Sequence, residues 1–156
     1  MAENRIFTLD DGTEELVVKN NYNEEIAKIH VRTGDISIVD RYNMFVNDFD
    51  DIIAPLSNVS LKSDGTSSFD DDWKTIKAVQ EEVIGKLNAI FDSRDIGLLF
   101  EKRNAFSTIN GVFFVEKVIE MLGNVVSESI AEETEKTKKR VDKYTKDIHR
   151  KESIGR

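Results

Sequence analysis

The segment from Trp73 to Leu122 constrains the fold more than any other part of the chain. Trp73, Ile76, Val79, Val83, Ile84, Leu87, Ile90 and Phe91 recur at three- and four-residue spacing, and Val112, Phe113, Val115, Val118, Ile119 and Leu122 repeat the pattern. Such spacing gathers apolar side chains on one helical face, which must be buried against something. Two amphipathic helices separated by Asp92–Asn110 are therefore expected to form the centre of the molecule. Trp73, Phe91, Phe100, Phe106, Phe113 and Phe114 are read as its aromatic core.

Before this pair, Ile6–Leu9 and Leu16–Val18 flank Asp10-Asp11-Gly12-Thr13, which reads as a hairpin around an Asp-Gly turn. Ile26–Val31 reads as a third strand or as a helical turn. Thr33-Gly34-Asp35 offers N-cap chemistry to a helix carrying Ile36, Val39, Tyr42, Phe45, Val46, Phe49, Ile52 and Ile53. Pro55 should stop that helix near Ala54. The polar run 61–68 reads as a loop, and Ser68 or Asp70 as the cap of the next helix. Asn110 or Ser107 is expected to begin the helix after it.

Past Ile130 the composition changes. Residues 131–156 hold nine Lys/Arg and six Asp/Glu, a net of +3, against −11 for residues 1–130. Only Val141, Tyr144 and Ile148 form an apolar line there, while Glu132–Lys136 and Glu135–Lys139 stand at i,i+4 spacing on an exposed helix. The expected fold class is α+β, mainly α-helical. An N-terminal β-hairpin, with a possible third strand, precedes about three core helices and a charged C-terminal helix. Residues 1–130 form the core domain and 131–156 a helical or partly disordered extension.

The chain is short of chemistry. With no cysteine among 156 residues, disulfides, thiolate metal sites and a cysteine nucleophile are excluded. The net charge of −8 argues against nucleic acid as a partner of the whole chain. No signal-like or membrane-spanning apolar run occurs, which suggests a cytoplasmic protein without membrane contact. The motifs of phosphate loops, zinc proteases and serine hydrolases are missing, and His30 and His149 lie far apart in sequence. The runs Asp48, Asp50, Asp51 and Asp70–Asp72 lack the alternating oxygen ligands and central glycine of a calcium loop. A metal-dependent hydrolase built on them is the weakest of three functional readings; no catalytic residue, metal or cofactor is assigned.

Phe114 falls beside the main stripe of its helix and, with Val115 and Val118, widens its apolar face, which suits either a second subunit or a plain buried core. The line Val141, Tyr144, Ile148 is too thin for membrane binding and suits either a partner helix or a plain solvated helix.

In order and texture, residues 5–145 resemble the tail assembly chaperones of long-tailed phages and prophages of Gram-positive bacteria. The resemblance rests on the N-terminal hairpin, on "AKIHVRTGD" leading into the first helix, and on "WKTIKAVQEEVIGKLNAIF". It is densest in "IGLLFEKRNAFSTINGVFFVEKVIEML" and the Lys/Glu-rich tail that follows. Members often place glycine after the Phe of the apolar cluster, where this chain has Glu101 after Phe100.

The resemblance implies a non-enzymatic, self-associating protein of the bacterial host cytoplasm. Its partners would be the tape measure protein, kept soluble while the tail tube polymerises, and possibly the tail tube protein. Phe114, Val118, Val141, Tyr144 and Ile148 are the candidate partner-binding residues. The alternative is a structural or adaptor subunit of a phage particle or other protein assembly.

Overall fold

A computed structural model describes residues 3–59 and 68–154, with side chains described for 3–59 and 70–143. The fold is mainly helical α+β, as expected. Strands β1 (Thr13–Lys19) and β2 (Glu25–Arg32) form an antiparallel hairpin. Helix α1 (Ile36–Ile53) runs into a 3-10 turn at Ala54–Asn58. Helix α2 (Ser68–Phe91) is followed by a second 3-10 turn, Ile96–Phe100. A two-residue-strand hairpin, β3 (Thr108–Ile109) and β4 (Val112–Phe113), then leads into α3 (Phe114–Ile154), which is 41 residues long.

The first hairpin lies one step later than its sequence reading. Residues 6–9 are not a strand, and the strands meet across Asn20–Glu24 instead. Asn20 Oδ1 accepts the backbone N–H groups of Tyr22 and Glu24 at 2.9 and 3.0 Å, and Asn23 supplies the left-handed residue at φ 66°. The Asp-Gly signal is genuine turn chemistry used differently. The carboxylates of Asp10 and Asp11 accept from Gly12 and Thr13 N–H and aim the chain into β1. In β2 the strict alternation of Ala27, Ile29 and Val31 buries one face, while Ile26 points outward.

Asp35 caps α1 by accepting the Ser37 N–H at 2.9 Å, and Pro55 sits in the turn just beyond its end. Ser68 and Asp70 lie within α2, and residues 60–67 before it, including most of the run 61–68 read as a loop, fall outside the described residues. At its other end Asp92, at φ 50°, reverses the chain, and Ser93 N–H returns to Asn88 O at 2.9 Å.

Asn110-Gly111 forms a tight turn with both φ angles positive, 53° and 79°, so Val112 and Phe113 belong to β4 and not to the helix. Phe113 N–H donates to the Glu116 carboxylate at 2.9 Å, half of a capping box that starts α3 at Phe114. Glu101 closes the second 3-10 turn at φ −66°, right-handed geometry that does not require glycine.

The core joins the inner face of the first hairpin to α1, α2, the second 3-10 turn and the first three turns of α3. Ile29, Val31, Ile38, Val83, Leu87, Phe91, Ile96, Val115 and Leu122 are completely buried in it. Trp73 is a correction: it is 43% exposed, because it lies about one turn before Ile76, the first buried residue among those described in α2. Phe91 and Phe100 are buried, whereas Phe106, Phe113 and Phe114 are half-buried at the edge.

Candidate partner-binding surfaces

Among the described residues, three recesses and one long helix stand out as accessible features. The first recess is a cleft of about 540 Å³ between the turn end of the β1–β2 hairpin, the segment after Phe100 and the start of α3. Its floor is Leu99, Ile109 and Phe114, and its rim carries Lys19, Lys102, Arg103 and Lys117. Phe114 meets Phe100 edge to face at 5.6 Å, and the Arg103 guanidinium lies 5.7 Å from the Phe114 ring centre. Arg103 therefore covers part of an aromatic surface that would otherwise face water.

The second recess, about 320 Å³, lies between α1 and α3. It is lined by Tyr42, Val46, Phe49 and Ile119 and flanked by Glu116 and Glu120. Burial, and secondarily the charge of Glu120, pushes the Tyr42 phenol above its ordinary pKa. The phenol is thus a neutral donor, and it spends its proton on the Ile119 carbonyl at 2.9 Å.

The third recess, about 430 Å³, sits at the open end of the first hairpin and gathers Asp10, Asp11, Glu14, Asp35, Glu132 and Glu133 around Arg32. Arg32 pairs with Asp35 at 3.4 Å and Asp92 at 3.9 Å. Hydrogen bonds from Ser37, with Arg32 and Arg41 nearby, hold Asp35 below the usual carboxylate range; Thr13 does the same for Asp11.

Outside these recesses, His30 stands between two carboxylates. Its Nδ1 lies 2.9 Å from Asp95 and its Nε2 3.2 Å from Glu15, and its backbone N–H also donates to Asp95. The hydrogen bond to Asp95, then the charges of Asp95 and Glu15, raise the imidazole pKa, while His30 lowers that of Asp95. The ring separates the two carboxylates, so the three groups face no common point. Among the described residues no group of three His, Asp or Glu side chains is placed to hold a metal ion.

Of the candidate partner-binding residues, Phe114 is half-buried and lines the basic-rimmed cleft. Val118 is only 5% exposed and is a core residue, a correction to its reading as a contact surface. Phe100 packs on Phe114, and the carbonyls of Ser107 and Ala105 accept the N–H groups of Phe114 and Val115 at 2.8 Å, so part of the apolar surplus of α3 is used inside the chain. Val141 is 55% exposed on α3, in a stretch where residues 131–143 are all exposed. Tyr144 and Ile148 continue the same helix, with side chains outside the described residues.

The structure adds features that the sequence reading passed over. Ile6, Phe7 and Leu9, taken for a hairpin strand, are 90, 79 and 85% exposed. Lys102 and Arg103, read as part of a polar break, form the cleft rim. The signal was present in both cases: apolar residues beside a turn, and paired cations beside an aromatic cluster.

No family model, curated protein or solved structure matches the chain. Among the described residues no helix is long and apolar enough to cross a membrane.

Proposed function

We propose that this chain is a non-enzymatic assembly chaperone of the phage-tail type. It binds the tape measure protein, keeps it soluble in the bacterial host cytoplasm while the tail tube polymerises, and self-associates. The observation that carries the reading is the uninterrupted course of α3. One helix starts in the core at Phe114 and continues to Ile154, and its exposed part carries Val141 among mixed charges. A long helix presenting a thin apolar line can lie along another helix of the same character and leave it again, because little apolar area is buried per turn. Interleaved Lys and Glu keep both the free and the bound form soluble.

The test is co-expression with the long helical reading frame expected to neighbour this one, followed by affinity capture of this chain. The long protein is expected to become soluble and to co-purify. If it stays insoluble and uncaptured, the reading is overturned. Purified particles are expected to lack this chain; its retention in them would favour a structural or adaptor subunit instead.

A further inference from the structure

The segment before β1 carries apolar side chains that the described core leaves exposed; the Arg5 guanidinium lies 5.5 Å from the Phe7 ring centre, within the segment itself. All residues from 3 to 14 are exposed, including Ile6, Phe7 and Leu9 at 90, 79 and 85%. In an extended segment Phe7 and Leu9 share one side. The same molecule carries a cleft of about 540 Å³ with the apolar floor Leu99, Ile109 and Phe114. Both halves of a contact are therefore present.

Charge matches as well. Residues 3–11 hold three carboxylates and one guanidinium, a surplus of two negative charges. The cleft is lined by four cations and two carboxylates, a surplus of two positive charges in a chain of net charge −8. Asp10 and Asp11, directly after Leu9, would come to lie against Lys102 and Arg103.

The arm cannot fill the cleft of its own chain. It is tethered at Thr13, at the open end of the hairpin, while the cleft lies at the turn end, beside Lys19 and Asn20. Seven residues of β1 separate the two ends, about 20 Å. Leu9 lies four residues before Thr13 and reaches at most about 14 Å when fully extended. The local turns at Asp10 and Asp11 shorten that further. Phe7 and Leu9 therefore cannot enter their own cleft together.

We propose that the occupant is a second copy: the arm around Phe7 and Leu9 of one protomer docks in the basic-rimmed cleft of another. This gives a contact to the self-association in the proposed function, and rests on that part of it and not on the tape measure partner.

Analytical ultracentrifugation of the full chain through the micromolar range tests this. Wild type should associate reversibly. F7S/L9S and K102E/R103E should each weaken association by about tenfold or more. Combining D10K/D11K with K102E/R103E should restore it relative to K102E/R103E alone. All the substituted residues are exposed, so unchanged circular dichroism melting should accompany the loss; should K102E/R103E melt early, Lys117→Glu replaces it.

A wild type that stays monomeric overturns both self-association and the arm contact. Association that survives either F7S/L9S or K102E/R103E overturns the arm contact alone. Failure of charge reversal to restore association overturns the assignment of Asp10 and Asp11 to the rim. None of these outcomes depends on whether a tape measure protein is captured.

Discussion

Tyr42 of α1 lies directly over Gly123 of α3. Its phenol passes the glycine to donate to the Ile119 carbonyl at 2.9 Å, and a Cβ built on Gly123 would fall on the hydroxyl, 2.9 Å from Cζ. A glycine inside a helix ordinarily costs about 1 kcal/mol relative to alanine, so its presence here calls for a reason. The close approach supplies it. Gly123→Ala should regain helix propensity but force Tyr42 outward, and overpacking of this kind costs about 1–3 kcal/mol. A lower urea midpoint for Gly123→Ala is expected, and Tyr42→Phe, which removes the hydrogen bond, should cost about 1 kcal/mol. An alanine variant as stable as wild type would show that the two helices separate freely.

Gln80 of α2 ties down the segment after Phe100. Its Oε1 accepts the N–H of Ala105 at 2.8 Å, and Ala105 is completely buried. The Ala105 carbonyl in turn accepts the Val115 N–H at 2.8 Å, so one side chain anchors the loop that meets α3. Gln80→Leu keeps the bulk and removes the acceptor. Leaving that buried N–H unpaired should cost about 1–3 kcal/mol, read as a lower thermal midpoint. Hydrogen exchange at Ala105 should rise with it; protection unchanged at Ala105 would mean that another acceptor takes over.

The contrast between Leu87 and Trp73 shows what the sequence could convey. Strong 3.6-residue periodicity located α2 and the buried stripe from Ile76 to Phe91, because a continuous apolar face has one physical solution. Periodicity does not say where the neighbouring layer ends, so Trp73 was read into a core that begins one turn later. The same holds for Val118 and Phe114. The width of an apolar face is visible in the chain, but what covers it is not: Val118 lies in the core, while Phe114 stays at the edge against Phe100. Asn110-Gly111 signalled the β3–β4 hairpin in plain turn chemistry, overshadowed by the apolar run after it. The first hairpin lies later than the Asp11-Gly12 turn suggests because Asn20–Asn23 is a second turn; the Ala27, Ile29, Val31 alternation decides between them, since only that register buries one face.

His30 makes the attachment of the first hairpin depend on pH. The imidazole links Glu15 on β1 and Asp95 beside the second 3-10 turn. Its pKa is raised in the folded chain, so its contribution is fully present below the unfolded value of about 6.5 and is lost as pH rises through the higher folded value. Asp95 is lowered, so its contribution is present above its unfolded value of about 3.8 and is lost as pH falls through the still lower folded value. The attachment is therefore strongest between these limits, in mildly acid solution. The stability of wild type should decline from about pH 6 to pH 8, and His30→Gln should flatten that decline. An identical pH profile for both chains would show that the decline, if any, originates elsewhere. Because all three groups are partly exposed, added salt should shrink the difference.

Val141→Ala, combined with Tyr144→Ala and Ile148→Ala, separates the role of the α3 extension from that of the core. The core of the chain ends near Val126 and Ile130, directly before the exposed stretch 131–143. Alanine is the best helix former, so the triple variant should retain the helix while removing its apolar line. Its helical signal and thermal midpoint should match wild type, and its capture of a co-expressed tape measure protein should fall by about tenfold, the loss expected when a few apolar contacts worth about 1.4 kcal/mol in total disappear from an interface. Phe114→Ala provides the contrast. Phe114 packs on Phe100 and under Arg103, so this change should lower the midpoint as well as affect the cleft. If the triple variant captures its partner as wild type does, the extension acts only as a solvated spacer, and the apolar groove between α1 and α3 becomes the surface to mutate next.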